Sequence, residues 1–180
     1  MWTTALPPQP IPMCVIALVS ICASTDIVSR RIPNVVIAIG LIASLTVQAS
    51  LHGPLAGGAN WLAGVSTGFA LLVPFYLVRG MAAGDVKLLM MIGTWVGPEM
   101  TFHIALATFL IGGAWSLVVT LSRGRTRQML VNLWWLFNNA RRMGHKAGRG
   151  PLAPIESVGS LPYGVAIAAG TLGMLFAAAA

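Results

Sequence analysis

Apolar runs close to the thickness of a bilayer recur along the whole chain, parted by short polar breaks. A helix rises 1.5 Å per residue, so crossing roughly 30 Å of hydrocarbon takes about 20 mostly apolar residues. Runs of this kind lie near 11–28, 33–51, 61–78, 85–97, 102–121 and 161–179. Backbone N–H and C=O groups find no water in lipid, so runs of this length must be helical. The expected fold class is therefore all-α: a polytopic membrane protein with six transmembrane helices, forming one domain over residues 1–180. The charge content agrees, because only 8% of the residues are charged, whereas a soluble domain carries about 25%.

The basic residues orient these spans. Arg30 and Arg31 fall between the first and second runs, and Arg79 and Lys87 around the loop between the third and fourth. Arg123, Arg125, Arg127, Arg141, Arg142, Lys146 and Arg149 fall between the fifth and sixth. Every Lys and Arg thus occupies alternate loops. Basic loops stay on the cytoplasmic side, which places both termini outside in the cytoplasmic (inner) membrane. The net charge of +7 is then a topological signal, and no nucleic-acid partner is expected. Trp61 and Trp95 are expected at the outer interface as an aromatic belt, with Tyr76 near the inner one.

Within the long basic loop, Leu130, Leu133, Trp134 and Phe137 repeat at helical spacing between Arg127 and Arg141. The apolar part is too short to span. Residues 127–143 are expected to form a cytoplasmic amphipathic helix lying in the membrane interface. The N-terminal "MWTTALPPQPIP" has no basic residue before the first run. A secretory signal needs one, so the first run is expected to remain as a span. Gly64 and Gly68 form a GxxxG in the third run, which permits close helix contact. Cys14 and Cys22 lie in an apolar stretch without a CxxC, and His52, His103 and His145 are scattered. No metal and no cofactor are expected.

Only four carboxylate side chains oppose this basic surplus: Asp26, Asp85, Glu99 and Glu156. The topology puts Asp26 at the inner end of the first helix and Asp85 at the inner start of the fourth. Ionisable groups at membrane depth are costly and are functional candidates by default. A plainer alternative pairs Asp26 with Arg30 and Asp85 with Lys87 in the headgroup zone, with Asp85 favouring a helix N-terminus. If the two acids meet, they cannot both ionise cheaply, and one keeps a proton. Such a pair can activate water, polarise a carbonyl and protonate a leaving amine. Asp26 at a helix C-terminus, against Asp85 at an N-terminus beside Lys87, suggests that Asp26 is the protonated partner at rest. Gly84, next to the acid, is read as leaving room for backbone to approach.

Three segments resemble the type IV prepilin peptidases, aspartic membrane proteases that remove leader peptides from pilin precursors. "DIVSRRIPN" (Asp26 to Asn34) is similar to the family's first-aspartate segment. "GMAAGDVKLL" (Gly80 to Leu89) is similar to its GxGD segment, and "LPYGVAIAAG" (Leu161 to Gly170) to the Pro-Tyr-Gly segment opening the last helix. The resemblance implies that Asp26 and Asp85 are the catalytic pair of a metal-independent aspartic endopeptidase. It implies a prepilin substrate whose short basic leader is cut after Gly at the cytoplasmic face, with membrane lipids as surroundings. Gly84, Lys87 and Ala82 would support the site. Ala82 stands where the family has the first Gly of GxGD, and a methyl there costs about 1 kcal/mol if the backbone needs positive φ. The CxxC-bearing loop of the larger, N-methylating members is missing, so the chain resembles the peptidase-only branch that serves tight-adherence (Flp-type) pili. Two other readings compete: a proton- or cation-coupled small transporter component, and an inactive pilus-assembly scaffold.

Overall fold

A computed structural model describes residues 6–77, 80–122 and 163–180. The expected interfacial helix, Arg79, Glu156 and the segment before Tyr163 lie outside these residues. The described elements are α1 (Ile11–Ser29), α2 (Asn34–His52), α3 (Pro54–Leu77), α4 (Ala83–Ser122) and α5 (Tyr163–Ala179). All are helices, as the hydropathy pattern predicts. Four of them, α1 to α4, are long and apolar enough to cross a membrane, while α5 is a shorter apolar helix of 17 residues. Large apolar side chains point outward: Leu55 is 90% exposed, Val28 86% and Phe176 75%. A soluble surface rarely tolerates so much exposed hydrocarbon, so these faces suit lipid, and the chain is a membrane protein.

Two compact units can be distinguished, Met1–Gly112 with Pro162–Ala180, and Gly113–Leu161. Every contact given below lies in the first; of the second, the described part is the end of α4.

α1 buries one stripe, Ile11, Val15, Val19, Cys22 and Asp26, which recurs at helical spacing. This helix packs against α5, and α2 packs against α3. Beyond its first turns α4 is buried on nearly every side, and Leu88, Leu89, Met91, Ile92 and Trp95 are all at most 2% exposed. A helix of that kind belongs in the middle of a bundle. The GxxxG of α3 explains part of the fit. A side-chain carbon at Gly64 would strike the Gly93 carbonyl of α4, and one at Gly68 would come within 2.7 Å of the Leu89 carbonyl.

α3 begins at Pro54, well before the expected residue 61. Hydropathy misses this turn because "PLAGGAN" is only weakly apolar, but Pro suits the first turn of a helix. Gly57 also lets the turn lie directly against the Gln48 backbone.

α4 is broken at Gly97, whose φ of 81° and ψ of 172° are not helical. Only glycine enters that region without strain. Pro98 follows and has no N–H to donate to the Thr94 carbonyl. Gln48 of α2 supplies the missing donor, its Nε2 reaching the carbonyls of Thr94 at 3.1 Å and Trp95 at 3.0 Å. After the break α4 runs antiparallel to α5: Gly170 sits against Ile104 and Thr108, and Gly112 against Tyr163. Trp95 is 2% exposed, which corrects its expected place in an aromatic belt. Its ring is packed inside the bundle beside the break rather than displayed to the interface.

Candidate active site

Asp26 is brought to the site by the buried stripe of α1. It lies at the end of the face that meets α5 and is only 7% exposed. The helix stops just beyond it. Arg30 turns left-handed, with φ of 52°, and returns its N–H to the Asp26 carbonyl at 3.0 Å. Among the described residues it alone combines a side chain with positive φ.

Asp85 stands in the first turn of α4 and is 5% exposed. Its Oδ2 accepts the Ala82 N–H at 3.3 Å. An acid in this position reaches back to a free N–H at the helix start, as half of a capping box does. Burial and this bond together hold the carboxyl at the base of the helix.

Contacts between the α1–α2 connection and the base of α4 bring the two acids into one neighbourhood. Ile32, in the connection between α1 and α2, comes against Gly84. Lys87 Nζ donates to Asn34 Oδ1, at the start of α2, at 3.0 Å. The loop after Asp26 is thereby fastened to the base of α4.

The plainer pairing of each acid with a basic neighbour does not occur. Among the described residues neither Asp26 nor Asp85 forms an ion pair, and Lys87 is turned to Asn34 instead. A buried carboxylate without a cation is costly.

Sequence reasoning missed a third member of this group, Gly164 in the first turn of α5. Its N–H donates to Asp26 Oδ2 at 2.9 Å across 138 residues of chain. The signal for it was the Pro-Tyr-Gly segment, which was read as a helix entry. Each aspartate accepts a backbone N–H from the start of a helix, and the ammonium beside Asp85 is directed elsewhere.

Ala82 has no positive φ. The methyl that replaces glycine there carries no left-handed strain, so the expected cost of about 1 kcal/mol does not arise. At Gly84 the nearest atoms to a side-chain carbon would be those of Ile32, from 3.5 Å, an ordinary contact. The fold itself therefore does not require glycine at 84.

Among the described residues no group of three or more His, Cys, Asp or Glu could hold a metal ion. What the site offers is two buried carboxyls, each with Oδ2 engaged by a backbone amide. That set can activate water, transfer protons and polarise a carbonyl.

A family model described as the type IV leader peptidase family matches residues 13–117. The match contains Asp26, Ala82, Gly84, Asp85 and Lys87 and ends before α5. No curated protein and no solved structure matches the chain.

Proposed function

Since the chain belongs to the type IV leader peptidase family, we propose that it cleaves the basic leader of Flp-type prepilins after Gly, with Asp26 and Asp85 as the catalytic pair. The observation that carries this reading is the burial of two acids in one neighbourhood, with no cation paired to either among the described residues. A membrane fold has little structural reason to keep such a pair, and peptide hydrolysis has a chemical one.

In the proposed reaction one carboxylate takes a proton from a water molecule. The resulting hydroxide adds to the carbonyl carbon of the leader's last Gly. The other, protonated carboxyl donates a hydrogen bond to the carbonyl oxygen. Collapse of the tetrahedral species breaks the C–N bond, and a carboxyl proton passes to the leaving amine. The amide bonds on Oδ2 orient each carboxyl, leaving Oδ1 of each to face water and substrate. No N-methylation follows, and no metal takes part. Lys87 serves by fastening α2 to α4 through Asn34, and Gly84 by leaving room for the substrate backbone beside Asp85.

The test is cleavage of a pilin precursor with a short basic leader ending in Gly, reconstituted with the purified protein in lipid vesicles. Asp26→Asn and Asp85→Asn should each lower the rate by about 100-fold or more, the usual scale for losing an acid–base group. A chelator should leave the wild-type rate unchanged. Full cleavage by either Asn variant sinks the carboxyl pair.

A further inference from the structure

We infer that the first turn of α5 is a working part of the peptidase centre: the Gly164 N–H holds Asp26 in its reactive position, and the carboxyl reaches that N–H only because residue 164 has no side chain. This rests on the proposed role of Asp26 and adds a positioning residue that lies outside the family match.

Three observations carry it. Asp26 Oδ2 accepts the Gly164 N–H at 2.9 Å in a buried setting. The N–H groups of a helix's first turn have no partner within the helix, so this one is free to be spent on a side chain. The three atoms nearest to a carbon added at residue 164 all belong to Asp26. A carbon added there would lie 2.7 Å from Oδ2, 3.1 Å from Cγ and 3.2 Å from Cβ of that one residue.

Two glycines of the same helix show what other demands look like. At Gly170 the added carbon would meet Thr108 and the Ile104 carbonyl, which is helix packing. At Gly173 it would meet nothing within 4 Å. A methyl at 164 therefore acts first on the Asp26 carboxyl. It pushes the carboxyl off the amide and out of register with Asp85, while the helix contact further along α5 is untouched.

A displacement near 1 Å at a reacting group costs about 100-fold in rate. Gly164→Ala should thus lose about 100-fold in kcat on the reconstituted pilin precursor, with KM within roughly threefold of wild type and little change in thermal midpoint. Gly173→Ala should match wild type in both. Gly170→Ala should lower the thermal midpoint and spare kcat in the folded fraction. A second measurement needs no turnover. In protein labelled with 15N-glycine, the Gly164 amide resonance should shift and exchange faster in Asp26→Ala, which removes the acceptor, and stay in place in Asp85→Ala.

The outcomes separate cleanly. If Gly164→Ala cleaves within threefold of wild type while Asp26→Asn is inactive, the inference fails and the carboxyl pair survives. If Asp26→Asn itself cleaves normally, the proposed function fails. A Gly164 amide indifferent to Asp26→Ala, which removes the acceptor, overturns the contact whatever the activities are.

Discussion

Two small residues beside Asp85 show how a single methyl can be weighed by geometry. Ala82 replaces the expected glycine, yet its backbone lies outside the left-handed region. Ala82→Gly then relieves no strain. Stability should change by less than about 1 kcal/mol, the size of the backbone entropy of one glycine, and the cleavage rate should stay within a few-fold. A gain of tenfold or more would show that the methyl hinders the site. Gly84 presents the opposite case. A methyl there meets Ile32 at 3.5 Å, a contact the fold accepts. Gly84→Ala should unfold at the wild-type temperature and yet cleave more slowly, because the room it fills is the room proposed for substrate. Unchanged kinetics in that variant would remove Gly84 from the site. Asp26 and Asp85 stood out in the sequence because acids are scarce in so apolar a chain. Their burial did not, since a sequence shows the neighbours along the chain and both had a basic one nearby.

At the scale of the helix, the break in α4 is the feature with the largest structural consequence. Gly97 and Pro98 are legible in the sequence as punctuation. The residue that makes the break tolerable is Gln48, nearly 50 positions earlier, and nothing local to it points there. Gln48 is 1% exposed, and its Oε1 has no hydrogen-bond partner among the described residues. The amide is therefore kept for its donor, which caps the carbonyls of Thr94 and Trp95. Neighbouring hydroxyls extend the junction: Ser44 donates to Thr94 Oγ1 at 2.7 Å, and Trp61 Nε1 to Ser44 Oγ at 2.9 Å. Gln48→Leu keeps most of the volume and removes the donor. It should cost about 1–3 kcal/mol, the penalty for stranding a buried carbonyl, read as a lower denaturation midpoint in detergent or bicelles. An unchanged midpoint would mean that water reaches those carbonyls. Periodicity and hydropathy thus locate helices and their breaks, whereas Gln48 on α4 and Gly164 on Asp26 are tertiary pairings that no window of sequence contains.

For the molecule as a whole, the contacts sort the described helix ends into two sets. The end of α1, the start of α2, the start of α4 and the start of α5 gather around the aspartates, through Asp26 to Gly164, Lys87 to Asn34 and Ile32 to Gly84. Gln48, Trp95 and Gly97 mark the other end. A straight helix of 40 residues would run about 60 Å, twice the hydrocarbon thickness. The break at Gly97 instead sends α4 away from the aspartates and back, since Gly112 returns to Tyr163 beside Gly164. Arg30, Arg31 and Lys87 all belong to the aspartate end, and the preference of basic residues for the cytoplasm is the basis for proposing that the cleavage site faces it. The orientation can be read by labelling. With Cys14 and Cys22 replaced, single cysteines at Ser29 and at Ala56, both exposed, stand at opposite ends. A membrane-impermeant maleimide added to intact cells should label Ala56→Cys and leave Ser29→Cys untouched, and inside-out vesicles should reverse the pattern. Labelling of Ser29→Cys from outside would turn the molecule over and place its aspartates on the wrong face for a leader that begins in the cytoplasm.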